Sequence, residues 1–358
     1  MKKYSFIFLY IALAIVAAGC GKEAKEGVNE DAIRFVEAWK TINKDKYPDW
    51  DETELGTIIL EYDKVEGDGK TVPMSDSAYV YVDYCISDLE GNLQSYSDAE
   101  HAKQMGAYNK TYFYGPSFWS TREGAVYAGV RDAIKGMKVG ERKKIMVPRW
   151  LMSYDKKKDA AAYMNSSSSA SETIYEFTVV DTTQNVNRWQ NDSIRTFLTH
   201  HTEYEGWTNP EEDAEYFYFK SYGWPEAEAD SEEEGDEEED WVMHKDTTVY
   251  INYTGRLLNG QVFDTTVERI AKDSGIYSAT TTYAPKSVSM ADKYTDIKLG
   301  SSSIITGFAL TLWNMHPYEK AVGIFTSPLG YASSGSGSMI PPYSPLLFEI
   351  ELVDKPEE

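Results

Sequence analysis

Residues 247–266 read TTVYINYTGRLLNGQVFDTT, and this stretch decides the fold predicted for the chain around it. Val249, Ile251 and Tyr253 occupy alternate positions, which is typical of a strand with one buried face. The Asn-Gly pair at 259–260 predicts a tight turn, after which Gln-Val-Phe returns the chain as a second strand. The pattern alone predicts a β-hairpin with an aromatic residue on each strand and a carboxylate at its mouth.

The letters of this hairpin resemble the signature of FKBP-type peptidyl-prolyl cis-trans isomerases, in which Tyr-Thr-Gly precedes a glycine turn and then Phe-Asp. Further parts of that family's pattern follow in the same order: Leu-Gly at 299–300, IITGF at 304–308, Met315, LGY at 329–331, IPP at 340–342 and a last strand at 346–353. The resemblance covers about residues 216–354. It implies a folding factor that isomerises prolyl bonds in proline-containing proteins and needs no cofactor and no metal.

The resemblance also implies which side chains form the pocket. Six positions match the family's catalytic residues: Tyr253, Phe263, Asp264, Phe308, Tyr331 and Phe348. Three more match its substrate contacts: Ile304, Ile305 and Ile340. In this assignment Phe308 is the floor of the pocket, Asp264 is the carboxylate at the rim, and the Tyr331 hydroxyl bonds the substrate carbonyl.

Several positions depart from the family pattern. Phe308 stands where Trp is usual, and Thr295, or Tyr294 beside it, stands where Phe is usual. Ser336 replaces a common His, and Thr311 replaces a usual Gly. Because these changes bear on catalysis more than on fold, two alternatives stay open: a non-catalytic peptide-binding or chaperone lipoprotein, and a purely structural surface lipoprotein.

The first half of the chain repeats the second. The segment VYVDY at 80–84 parallels VYINY at 249–253, and IYEFTVVD at 174–181 parallels LFEIELVD at 347–354. Tyr114-Gly115 is paired in this comparison with Leu299-Gly300. The repeat predicts an α+β fold of two FKBP-like units, each an antiparallel, bent sheet wrapped on a short helix, which in the second unit runs from about 305 to 314.

The two copies are not equal. Gln94 and Ser95 stand where the second copy has Phe and Asp, Val130 replaces the floor aromatic, and serines at 166–169 replace Ile-Pro-Pro. We therefore predict a degenerate first domain at 31–184 and an isomerase domain at 185–358, with any activity in the second. Residues 226–240 are nearly all acidic, and like charges at this density predict a solvated loop.

An amphipathic helix is predicted before each sheet. Asn29 is expected to cap the first, and Ala32, Phe35, Val36 and Trp39 form its apolar stripe. Residues 194, 197, 198 and 201 repeat that spacing before the second sheet. Residues 271–298 form an insertion relative to the compact family pattern, which we expect at the rim of the pocket.

The first residues predict export. Lys2 and Lys3 precede an apolar run at 6–18, which is shorter than the ~20 residues of a membrane span and is typical of a signal peptide. The sequence AAGC, ending at Cys20, resembles a bacterial lipobox, although an ordinary signal peptide stays an alternative. We predict a signal peptide at 1–19, acylation of Cys20, a tether at 20–30 and a location in the cell envelope, on the outer membrane.

The net charge of −23 argues against a nucleic-acid partner, because binding phosphates requires clustered Lys and Arg. No phosphate-binding Gly-Lys loop or dinucleotide fingerprint is present. The five histidines show no spacing typical of a metal site, and Cys85, once Cys20 is acylated, has no disulfide partner in the chain.

Overall fold

A computed structural model describes residues 28–75, 77–209, 216–223 and 247–356. They form two antiparallel sheets, and the first contains seven strands in the order β1-β2-β6-β7-β3-β4, with β5 beside β3. Its strands are β1 (Asp51–Glu52), β2 (Ile58–Asp63), β3 (Tyr79–Ser87), β4 (Leu93–Tyr96), β5 (Ser117–Ser120), β6 (Arg142–Val147) and β7 (Thr173–Thr183).

The second sheet contains eight strands in the order β13-β12-β11-β9-β15-β14-β8, with β10 beside β9. They are β8 (Phe217–Ser221), β9 (Thr248–Leu257), β10 (Val262–Thr265), β11 (Lys286–Ser289), β12 (Lys298–Leu299), β13 (Ser302–Ser303), β14 (Lys320–Phe325) and β15 (Leu346–Val353).

Seven α-helices are described around these sheets: α1 (Glu30–Asn43), α2 (Ala99–Gln104), α3 (Ala128–Ile134), α4 (Ala160–Met164), α5 (Val186–His200), α6 (Glu268–Ser274) and α7 (Thr306–Trp313). Helix α7 packs on β14 and β15, and α3 packs on β6. Short 3₁₀ turns lie at Arg149–Leu151, Thr202–Tyr204, Tyr294–Asp296 and Ser327–Leu329.

The pairing registers confirm the internal repeat. In the first sheet Tyr84 lies opposite Phe177, and in the second Tyr253 lies opposite Ile350. The strand pairs between named strands are antiparallel throughout the described residues. The prediction of two α+β units, with a short helix at about 305–314, is therefore confirmed.

One detail of the predicted repeat is wrong. Tyr114 does not match Leu299; it stacks on Tyr108, with ring centroids 5.5 Å apart, just as Tyr283 stacks on Tyr277 at 5.4 Å. Both tyrosine pairs precede equivalent strands, β5 and β11, so the segment at 107–120 aligns with 276–289 without a gap. The 271–298 region is thus largely shared by both units.

The prediction for the first helix was partly wrong. Asn29 precedes α1 but makes no capping hydrogen bond; its Nδ2 donates to the carbonyls of Met164 and Ser166, at 2.8 and 2.7 Å. Ala32 and Val36 are buried as expected, whereas Phe35 is 45% exposed. Asn29, directly before the helix, thus ties α1 to the end of α4.

Helix α5 lies between the two sheets in sequence and contacts both units. Ile194 and Leu198 pack with Val322, Ile324 and Leu347 on the face of the second sheet opposite α7. This second sheet therefore carries a helix on each face.

Three predicted features lie outside the described residues: the signal peptide, the acylated Cys20, and the acidic loop at 226–240. Within the described ranges, no helix combines the length and the apolar character that crossing a bilayer requires.

Candidate active site

The nine predicted pocket residues of the second unit all line one cavity of about 590 Å³. Strand β9 contributes Tyr253, β10 contributes Phe263 and Asp264, β15 contributes Phe348, and the start of α7 contributes Phe308. The remaining members lie on connecting segments and complete the walls: Ile304, Ile305, Tyr331 and Ile340. The structure brings together every predicted side chain, although their separate roles stay predictions.

The inner end of the cavity is an aromatic cup. The rings of Phe308 and Phe348 meet edge to face, with centroids 4.9 Å apart and an interplanar angle of 86°. Tyr253 meets Phe308 in the same way at 5.3 Å, and Phe263 meets Phe348 at 5.5 Å. Such perpendicular contacts are the arrangement that aromatic quadrupoles favour. The three phenylalanines are buried, so the cup is preformed and apolar.

Gly255 explains why the hairpin signature carries glycine after Tyr-Thr. A Cβ atom at Gly255 would lie 2.5 Å from the Phe263 ring and 2.8 Å from the Phe348 ring. No side chain fits there without moving one of those rings. The glycine therefore lets two aromatic walls approach the strand that carries Tyr253.

Two phenols and a carboxylate, those of Tyr253, Tyr331 and Asp264, also line the cavity. The Tyr253 hydroxyl donates to Asp264 Oδ2 at 2.8 Å. Burial, reinforced by the charge of Asp264 and by this hydrogen bond, raises the pKa of Tyr253 well above its ordinary value. Burial and then the Asp264 charge raise the pKa of Tyr331 as well. Both phenols are therefore protonated at neutral pH, and the Tyr253 hydroxyl donates its proton to Asp264.

Comparisons with known proteins bear on the same part of the chain. The profile of the FKBP-type peptidyl-prolyl cis-trans isomerase family matches residues 240–353. FK506-binding protein 2 of Kluyveromyces lactis is 33% identical over 111 residues, which are 31% of this chain and 64% of that protein. FK506-binding protein 1A of Aspergillus fumigatus is 30% identical over 105 residues, which are 29% of this chain and 74% of that protein. The chain belongs to the FKBP family.

Among solved structures, the three FKBP domains of wheat FKBP73 align with 83% of this chain and 93% of that one, at 17% identity and a TM-score of 0.28. The chain spans 34% to 64% of the length of several curated FKBP relatives that it matches.

The FKBP pocket accommodates its departures from the family pattern. Phe308 is buried as the floor of the cup, and Ser336 lines the cavity. Thr311 donates its hydroxyl to the Gly307 carbonyl at 2.8 Å and packs directly over Gly323. Because Gly323 has no side chain, Thr311 fits between α7 and β14, and the two elements stay packed together.

The first FKBP unit has a smaller cavity, of about 210 Å³, at the equivalent place. The register of β3 and β4 confirms that Ser95 takes the position of Asp264. Ile86 takes the position of Gly255 and Val130 that of Phe308, so an aliphatic side chain occupies space that the second unit gives to aromatic rings. Tyr127 and Tyr154 stack across this cavity at 4.4 Å.

Three further residues line the FKBP pocket of the second unit and were not predicted there: Leu299, Ser303 and Met339. Met339 directly precedes Ile340, so its place in the chain was the available signal. Within the described residues, no cluster of three or more His, Cys, Asp or Glu side chains is arranged to hold a metal.

Proposed function

We propose that the second unit catalyses cis-trans isomerisation of peptidyl-prolyl bonds in polypeptide clients. The observation that carries this proposal is the convergence of all nine family-matched residues on one cavity of about 590 Å³. The cavity is large enough for a prolyl ring and its neighbouring peptide groups, and the smaller cavity of the first unit supports assigning activity to the second.

The chemistry requires rotation about a partial double bond. The barrier of ~18–20 kcal/mol reflects imide resonance, which places negative charge on the carbonyl oxygen. Water stabilises the polar planar form more than the twisted one. A cup of Phe263, Phe308 and Phe348 replaces that water with hydrocarbon, so the twisted transition state is stabilised relative to the planar ground state.

Polar groups orient the bound peptide. Within the described residues the Tyr331 hydroxyl has no hydrogen-bond partner, and its raised pKa keeps the proton available for a substrate carbonyl. The carboxylate of Asp264 holds the Tyr253 hydroxyl at 2.8 Å, so that ring keeps its edge-to-face contact with Phe308. No nucleophile or general base is required.

The test uses the full chain and a proline-containing tetrapeptide whose cis-to-trans conversion is followed spectroscopically. Phe308→Ala should lower kcat/KM by about tenfold to a hundredfold, because a buried Phe contributes roughly 1.5–3 kcal/mol of apolar contact. Val130→Ala is the matched control, since Val130 holds the same position in the first unit, and it should leave activity unchanged. An inactive wild-type chain, or equal effects of the two substitutions, would overturn the proposal.

The same proposal places the protein in the cell envelope, anchored by an acylated Cys20 and acting there on proline-containing clients, with domains at 31–184 and 185–358. What supports it is the sequence at 1–20, with its short apolar run before Ala-Ala-Gly-Cys. Two or more acyl chains bind a bilayer far more firmly than one. Cys20→Ala should move the protein from the membrane fraction to the soluble fraction, or leave it unprocessed. A processed Cys20→Ala protein that still sediments with membranes would exclude the anchor.

A further inference from the structure

A loop of the first unit reaches the mouth of the second unit's pocket. This segment, residues 106–116 between α2 and β5, is called here the bridging loop. The N–H of Phe113 donates to the Ser338 carbonyl at 2.8 Å, and Gln261 Nε2 donates to the Thr111 carbonyl at 3.0 Å. Gln261 lies two residues before Phe263, and Ser338 directly precedes Met339, so both contacts lie beside pocket-lining residues.

The part of the mouth that Phe113 touches is a short Gly-Ser segment whose two ends are bonded to each other. Residues 336–340 read SGSMI and are called here the lip. Ser336 and Ile340 are joined by two backbone hydrogen bonds of 2.8 and 3.2 Å, and Gly337 between them has a φ of +54°. The bond from the Phe113 N–H to the Ser338 carbonyl adds a contact from the other unit at the tip of this turn, between the two bonded ends.

The side chain of Phe113 fixes the bridging loop against the second unit. Its ring is half-buried and packs against the core cluster of the second unit. The ring folds back over Gly115, where an added Cβ would lie 2.8 Å from Phe113 Cζ. Glycine at 115 thus leaves space for the Phe113 ring, whose packing on the second unit lies beside the N–H that bonds the lip.

The equivalent loop of the second unit shows which features of the bridging loop belong to its own fold and which do not. The tyrosine stacking and the bond from a loop N–H to a tyrosine hydroxyl occur in both units: Asn109 to Tyr114 at 3.0 Å, and Ser278 to Tyr283 at 2.9 Å. The equivalents of Phe113 and Gly115 in the second unit are Thr282 and Ala284. The loop thus forms without an aromatic residue at this position, so its own fold does not require Phe113.

We propose that Phe113 is a positioning residue for the second unit's pocket, acting through the lip, so that the first unit sets how well the second binds proline peptides. The proposal rests on the proposed isomerase function. A lip that samples open conformations leaves a smaller fraction of binding-competent molecules, and the apparent dissociation constant equals the intrinsic one divided by that fraction. The effect falls on KM, whereas the aromatic cup that lowers the barrier is untouched.

The experiment compares the full chain with Phe113→Ala, and two readouts are measured on each protein. Phe113→Ala should raise KM for a proline tetrapeptide about threefold to tenfold with kcat within twofold of wild type, in line with a competent fraction of roughly 0.1–0.3. Amide hydrogen exchange at Ser336 and Ile340 should become at least several-fold faster, since their mutual bonds open when the lip moves. Phe113→Leu should restore most of both values.

Two controls make the result specific. Thr282→Ala changes the equivalent position in the second unit, and Tyr112→Ala removes an exposed ring next to Phe113; both should match wild type. Unchanged lip exchange and unchanged KM in Phe113→Ala would overturn the positioning role, as would a fall in kcat alone. An inactive wild-type chain would instead overturn the isomerase function, and lip exchange, with the affinity for the same peptide from fluorescence titration, would still decide the role of Phe113.

Discussion

At the residue scale, the shape of the pocket depends on the lack of a side chain at Gly255 as well as on the side chains that line it. Gly255 lets Phe263 and Phe348 approach β9, and Gly255→Ala would place a Cβ 2.5 Å from the nearer ring. We expect this substitution to lower kcat/KM at least tenfold and to destabilise the chain by about 1–3 kcal/mol, the usual cost of overpacking a core. Chemical denaturation and the isomerase assay measure the two effects.

The control for that prediction is Gly69→Ala. Gly69 lies in the first unit, away from the second unit's pocket. A Cβ added there would lie 3.6 Å from Lys138 Cβ, an ordinary contact distance. Its activity and stability should remain near wild type. If Gly255→Ala kept full activity, the ring positions could not be as tightly constrained as the contacts indicate.

The hydrogen bond at the pocket's rim leads to a second prediction. Asp264 is exposed, and its contribution comes through the 2.8 Å bond from the Tyr253 hydroxyl. Asp264→Ala should therefore reduce kcat/KM only about threefold to tenfold, less than Phe308→Ala. Tyr253→Phe combined with Asp264→Ala should be non-additive, with a coupling of roughly 0.5–1.5 kcal/mol, since each change alone already breaks the same bond. A double-mutant cycle on kcat/KM measures this, and additive effects would exclude a joint role.

At the element scale, short ordered motifs were sufficient to predict the aromatic cup, because each motif lies on one strand, one turn or one helix start. The alignment of Tyr114 with Leu299 was wrong because it used too few residues. It rested on a single tyrosine-glycine pair, whereas the loop is defined by two tyrosines six residues apart that stack face to face. Phe113 had no local signature at all, since its partner Ser338 is distant in sequence and lies in the other unit.

A buried carboxylate recurs at the start of equivalent strands in the two units. Glu141 Oε2 accepts from the Tyr62 hydroxyl at 2.7 Å and from the Lys138 N–H at 2.8 Å. Glu319 Oε2 likewise accepts from the His316 N–H, at 2.7 Å. Burial opposes ionisation of Glu141, but these donors outweigh it and hold the pKa of its carboxyl below the usual value.

The lowered pKa of Glu141 predicts an acid-dependent contribution to stability. The hydrogen bonds to Glu141 favour its ionised carboxylate. The stability that they contribute is therefore complete above the unfolded pKa of ~4.3, and it is lost as pH falls through the lower pKa of the folded state. Glu141→Gln should therefore destabilise the first unit by roughly 1–3 kcal/mol at pH 7. The difference from wild type should shrink between about pH 5 and pH 3. Urea unfolding across this range tests it, with the exposed Glu66→Gln as control; a pH-independent difference would contradict the assignment.

At the scale of the whole molecule, α5 joins the two units: buried hydrogen bonds attach it to the second unit, and a tryptophan side chain attaches it to the first. Gln190 is fully buried and exchanges two hydrogen bonds with Ser327 of the second unit, at 2.9 and 2.7 Å. Its neighbour Trp189 faces the first unit, where its Nε1 donates to Asp181 Oδ2 at 2.6 Å and its ring meets Phe118 edge to face at 4.8 Å. The helix is thus anchored in one unit and inserts a single large side chain into the other.

This asymmetry predicts how the units uncouple. Trp189→Ala should leave α5 on the second sheet, because Gln190 and the apolar stripe remain, while the first unit loses an aromatic contact and a hydrogen bond. A loss of roughly 2–3 kcal/mol from a unit of about 150 residues lowers its Tm by about 4–10 °C. Calorimetry should then show the transition of the first unit separating from that of the second.

Trp50→Ala, which removes a 37% exposed ring beside Lys40, is the matched control and should shift the same transition much less. If Trp189→Ala lowered both transitions equally, α5 would belong to both units alike, and the first unit could influence the pocket through this helix as well as through the bridging loop.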